Sequence, residues 1–157
     1  MMNESRRKAL KRGGISSAMF AALVGGLLKP QELLAAVWNA PAFEAKTVAD
    51  ALKSLNISDV SDSKDVVLNA PDIAENGAVV PIEITSKIPG TQSITVLVDK
   101  NPFPYIGTFD VSKGALPFVH VRVKMGETSN LRVIVAAGGK YYQSVKEVKI
   151  TIGGCGG

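Results

Sequence analysis

Cysteine and histidine are almost missing from this chain, which has one of each in 157 residues. A single cysteine cannot close an internal disulfide. With no Cys-x-x-Cys pair and only one imidazole, the ligand sets of structural zinc, iron–sulfur clusters and multi-histidine sites are excluded too. Aromatics are scarce at 6%. No uncharged apolar run reaches the roughly 20 residues that a membrane-spanning helix needs. The body also lacks net charge, which the overall value of +4 conceals. Between Met1 and Ala36 six Lys and Arg face two Glu, whereas the rest of the chain balances 12 basic against 12 acidic residues. All of the excess charge lies in the leader. A body without a basic stripe or a set of stacking aromatics is not built to hold nucleic acid.

What is present begins with that leader. Ser5-Arg6-Arg7-Lys8-Ala9-Leu10-Lys11 precedes an uncharged run of 16 residues, Gly13 to Leu28, rich in Ala, Gly and Leu. Basic residues followed by a short apolar run have the form of a signal peptide, and the run is too short for a permanent anchor. Arg6 and Arg7 ahead of a mildly apolar, glycine-containing segment resemble a twin-arginine export signal, although Ala9 stands where that motif usually has a large apolar residue. An ordinary secretory signal is the alternative. The leader is assigned to residues 1–36, with cleavage expected between residues 34 and 42, where Ala35-Ala36 and Ala40-Pro41-Ala42 offer small side chains.

The composition, 46% hydrophobic, supplies an ordinary core for one domain, expected over residues 43–152. Phe43, Val48, Ala51, Leu52 and Leu55 recur at helical spacing and predict a short amphipathic helix from Glu44 to Leu55. From Asp65 onward the period becomes two. Strands are predicted at Asp65–Asn69, Ala78–Thr85, Gln92–Val98, Tyr105–Val111, Phe118–Met125, Leu131–Ala136 and Lys140–Ile152, the last long enough to bend or break. Asn76-Gly77, Pro89-Gly90, Asn101-Pro102, Lys113-Gly114, Gly126 and Gly138-Gly139 supply the turns. Seven short strands with such punctuation predict an all-β, immunoglobulin-like sandwich, with an open barrel as the alternative. Pro81 cannot donate to a ladder, so its strand is expected at an edge or at a bulge. Val119, Val121, Val123 and Met125 share one strand face, read as core, opposite Phe118, His120, Arg122 and Lys124.

Few residues offer chemistry. His120 has no nucleophile or carboxylate beside it and reads as a solvated strand residue. Asp59, Asp62 and Asp65 lack the spacing of a calcium loop. Asn101-Pro102-Phe103-Pro104-Tyr105 reads as a hydrophobic crossover, with a docking patch as its alternative. Cys155 differs from all of these because it lies in Gly153-Gly154-Cys155-Gly156-Gly157. Glycine loses the most freedom on ordering and buries no side chain in return, so these four glycines predict a flexible arm. Five extended residues reach at most roughly 16 to 18 Å. The nearest basic residue before Cys155 is Lys149, and the α-carboxylate of Gly157 is two residues away, which disfavours the thiolate. Cys155 therefore reads as a handle on which other proteins act, not as a self-activating nucleophile.

The terminal Gly-Gly-Cys-Gly-Gly, preceded by Lys146-Glu147-Val148-Lys149-Ile150-Thr151-Ile152, resembles the C-terminus of the SoxY family of bacterial thiosulfate oxidation. The stretch from Ala70 to Pro81, Lys100-Asn101-Pro102 and Arg122-Val123-Lys124-Met125 resemble the same family, as does the twin-arginine leader. The resemblance implies a periplasmic carrier with an immunoglobulin-like fold, covalent attachment of substrate sulfur at Cys155, and no cofactor or catalysis of its own. It also implies a heterodimer with a small SoxZ-like subunit, oxidative joining of thiosulfate by a c-type haem enzyme of the SoxAX type, and release of sulfate by a SoxB-like hydrolase. In some organisms a SoxCD-like molybdenum enzyme would then oxidise the remaining sulfur. Two other readings differ in class. One is a carrier acting through a thiocarboxylate at Gly157, against which the export leader counts because adenylation needs ATP. The other is an exported immunoglobulin-like binding module whose tail cysteine cross-links to a surface.

Overall fold

The computed structural model describes residues 39–112 and 114–151. Strict alternation builds the smaller of two sheets. β4 (Val80–Ser86) buries Val80, Ile82, Ile84 and Ser86 and exposes Pro81 and Glu83. It pairs antiparallel with β2 (Val66–Asn69) on one side and β7 (Phe118–Val123) on the other. The larger sheet is formed by β1 (Val60–Asp62), β5 (Thr91–Val98), β6 (Tyr105–Asp110), β8 (Ser129–Ala137) and β9 (Lys140–Ile150), in the order β1-β9-β8-β5-β6. β3 (Ile73–Ala74) adds to the same edge of β9 that β1 occupies, further along. The chain therefore touches β9 at β1, crosses to the other sheet as β2, and returns to β9 as β3.

Between the sheets lies one apolar core, in which Ile82, Ile84, Val123 and Met125 meet Ile94, Val96, Val133 and Val135. The outer face of the larger sheet is covered as well. Leu97 and Ile134 point outward and are buried with Tyr105 under Ala42, Ala45 and Ala51 of the helical segment. Phe43 stands edge-on to Tyr105 with ring centroids 4.6 Å apart. This second layer explains why β5 reads as the nearly unbroken apolar run Ile94-Thr95-Val96-Leu97-Val98, for a strand buried on both faces has no polar side to alternate with.

The all-β sandwich and its seven predicted strands are present, with three differences. β1 and β3 add two short strands that the sequence did not signal. β9 runs unbroken to Ile150, and the predicted end at Ile152 lies outside the described residues. The helix predicted from Glu44 to Leu55 is the shorter α2 (Val48–Ser54), and another, α1 (Ala40–Glu44), precedes it and ends where the predicted one began. Thr47 separates them. Its backbone is extended, its Oγ1 accepts the Asp50 N–H at 3.1 Å, and the same hydroxyl donates to Asp50 Oδ2 at 2.7 Å, so it caps α2 where a continuous helix would have passed through.

The strand holding Pro81 is the centre of its sheet, not an edge. β2, however, stops with Asn69 opposite Glu83, so Pro81 faces only β7, opposite Arg122. Proline is thereby confined to the part of the strand with one neighbour instead of two. Gly138 and Gly139, with φ of 57° and 74°, make the two-residue turn that joins β8 to β9.

Candidate functional site

Cys155, Gly153, Gly154, Gly156 and Gly157 lie outside the described residues, as do Arg6 and Arg7. The structure does show the platform from which the cysteine segment starts. β9 holds its place through β8, paired from Ala137↔Lys140 to Ser129↔Val148. Beyond Val148 other groups take over. The Lys149 N–H donates to the Asp72 carbonyl at 2.9 Å and the Thr151 N–H to the Ala74 carbonyl at 3.3 Å. Between them the Ile150 N–H donates to the Thr128 hydroxyl at 3.0 Å. Thr151 Oγ1 in turn donates to the Glu75 carbonyl at 3.4 Å.

The segment carrying β3 is fixed by charge and by close packing. Lys146 Nζ forms an ion pair with Asp72 Oδ1 at 2.9 Å and also donates to the Ala70 carbonyl. The hydrogen bond from Lys146, with its positive charge and the weaker influence of Lys149, holds the Asp72 carboxyl below the usual carboxylate range. Behind this segment Gly77 is buried, and its carbonyl accepts the Met125 N–H at 2.7 Å. Asn101 ties the next loop to the same corner by donating to the Lys124 carbonyl at 2.7 Å and accepting the Gly126 N–H at 3.1 Å. The end of β9 is thus gripped from both sides by residues 70–77 and by Thr128.

His120 is exposed on the outer face of β7, in register with Glu83, in a shallow hollow shared with Asn69, Ala70, Pro71 and Pro81. Asp62 accepts a hydrogen bond from Gln143 at 2.9 Å. Among the described residues no three His, Cys, Asp or Glu side chains are grouped as metal ligands. In the crossover loop Tyr105 is buried, whereas the half-exposed Phe103 lies under the Lys46 ammonium at 3.5 Å from the ring centroid. Sequence reasoning missed Thr128 and Ala74. Thr128 sits in a turn signal, and a two-residue strand has no periodicity to detect.

The family model for the sulfur oxidation protein SoxY matches residues 52–155. This chain belongs to the SoxY family. The match takes in β1 to β9 and continues through Gly153 and Gly154 to the single cysteine. Among solved structures, the sulfur carrier protein SoxY from Chlorobium limicola f thiosulfatophilum is 39% identical over 66% of this chain and 96% of its own, with a TM-score of 0.59. A superoxide reductase (neelaredoxin) from Ignicoccus hospitalis is 15% identical over 55% of this chain and 79% of its own, with a TM-score of 0.48. No protein of curated function matches. SoxY membership agrees with the all-β sandwich.

Proposed function

We propose that this chain is a periplasmic sulfur carrier that holds its substrate on Cys155 while partner enzymes carry out the chemistry. The observation that carries this reading is that the SoxY match runs to residue 155 and so includes the only thiol. In the first step Cys155–SH and thiosulfate lose two electrons and one proton to give Cys155–S–S–SO3⁻. The electrons go to a c-type haem partner of the SoxAX type. In the second step water cleaves the S–SO3 bond, leaving Cys155–S–SH and releasing hydrogen sulfate, with a SoxB-like hydrolase supplying the catalyst. A SoxCD-like molybdenum enzyme, where present, oxidises the outer sulfur further. A SoxZ-like subunit completes a heterodimer.

The physical basis of the division of labour is the separation of platform and handle. The body pins β9 up to Thr151. The next six residues include four glycines and Cys155, with no Cβ on either side of the cysteine to obstruct a narrow channel. Replacing Cys155 by Ser is expected to abolish thiosulfate oxidation in cells that depend on this chain while leaving its unfolding midpoint unchanged. Retained oxidation with the Cys155→Ser protein as the sole copy overturns the reading.

A further inference from the structure

The last three residues that the structure describes are each held through their own N–H, and the partners alternate. Lys149 and Thr151 donate to backbone carbonyls on the β3 side, as an added strand requires. On the opposite side the β8 ladder has ended with Ser129↔Val148, and the chain bends at residues 126–128. The next N–H on that side, from Ile150, meets the half-buried Thr128 hydroxyl at 3.0 Å, and the same oxygen lies 3.5 Å from the Ile150 carbonyl, to which it donates. One side chain thus stands in for the missing residue of a strand.

We propose that Thr128 is a positioning residue for the cysteine arm, setting where β9 stops and the arm begins. The proposal rests on the carrier reading above. With β9 bonded through Thr151, Cys155 is four residues away, so its reach is at most roughly 13 to 14 Å. Without the Thr128 hydroxyl the end of β9 rests on the β3-side bonds of Lys149 and Thr151 and opens more readily, and in the open form the arm is as many as seven residues long instead of four. The effective concentration of a tethered group falls roughly as the −3/2 power of tether length, so the loss is approximately twofold when the open form dominates. A looser arm costs a partner's active site productive encounters. A small reagent in free solution is indifferent to it.

The experiment compares the full-length mature chain with Thr128→Val and Thr128→Ser in three measurements: amide hydrogen exchange at Ile150 and Thr151, alkylation of Cys155 by iodoacetamide, and conjugation of thiosulfate to Cys155 by the haem partner. For Thr128→Val the expected result is faster exchange at both amides, unchanged alkylation, and kcat/KM for conjugation reduced by about twofold, by the tether-length scaling above. Thr128→Ser restores all three. If Thr128→Val does not fold, Thr151→Val, which removes only the hydroxyl bond to Glu75, is expected to change exchange and conjugation in the same direction. Unchanged exchange in Thr128→Val, or faster exchange with wild-type conjugation, overturns the positioning role and leaves the carrier reading standing. Absence of conjugation to the wild-type chain overturns the carrier reading itself.

Discussion

Substituting Gly77 by Ala tests the corner that grips β9. A Cβ built at Gly77 lies 2.4 Å from the Met125 carbonyl oxygen and 3.0 Å from Cγ2 of Ile150. The first contact is with backbone, so no side-chain rotation relieves it, and restoring the 3.4 Å of ordinary contact takes about 1 Å of movement between the two segments. That movement strains the 2.7 Å bond from the Met125 N–H to the Gly77 carbonyl. Overpacking of this kind costs about 1–3 kcal/mol, and a weakened hydrogen bond adds about 1 kcal/mol or less. Against this, alanine restricts the unfolded chain and returns about 0.4–1 kcal/mol. The net expectation is destabilisation by about 1–3 kcal/mol. Gly107, in β6, is the control: a Cβ there meets nothing within 4 Å, and its φ is not positive. Gly107→Ala is expected to be neutral or stabilising by up to about 1 kcal/mol. Urea unfolding followed by circular dichroism measures both. Equal midpoints for the two variants, or a more stable Gly77→Ala protein, would refute the close-approach reasoning.

Two further predictions concern charge. Because its carboxyl is held down by Lys146, Asp72 is expected to titrate below the usual carboxylate range, and Lys146→Met to move it upward. A folded-state value lowered in this way contributes stability above the unfolded-chain pKa of about 3.9, and the contribution is lost as pH falls through the lower folded value. The Asp72 side chain is 88% exposed, so the stability effect is small and the sensitive readout is an NMR titration of the carboxyl carbon. An Asp72 titration identical in wild type and Lys146→Met contradicts the pairing. At the other end of the chain, Arg6→Lys with Arg7→Lys is expected to block export by the twin-arginine route. Undiminished export of the double variant would point to an ordinary secretory signal.

Legibility followed the strength of the periodic signal. β7 alternates cleanly, so Val119, Val121, Val123 and Met125 were read as one core face, of which Val119, Val123 and Met125 are buried and Val121 partly so. β5 and β8 were predicted among the strands bounded by turn signals, although their second covered face, with Leu97 and Ile134 beneath α1 and α2, had no separate signal. The start of α2 was placed too early because the helix predicted from Glu44 runs through Thr47, where the interrupting cap is one hydroxyl, and α1 lies before the predicted start. β1 and β3, at three and two residues, are too short for any period and exist because β9 offers them an edge. Pro81 was expected at an edge or a bulge because sequence shows the missing donor but not where the neighbouring strand ends. At the site, Cys155 and its glycines stood out by composition alone. The grip on β9 did not, since it is made mostly of backbone carbonyls together with Thr128 and Thr151, and carbonyls are present at every position in any sequence.

The central claim is that substrate sulfur is carried covalently on Cys155. Intact-mass measurement of the chain from thiosulfate-grown cells tests it most directly. The account predicts a population bearing added sulfur or a thiosulfonate group, removed by reductant and absent from Cys155→Ser. An unmodified Cys155 in those cells, accompanied by a thiocarboxylate at Gly157, would contradict it.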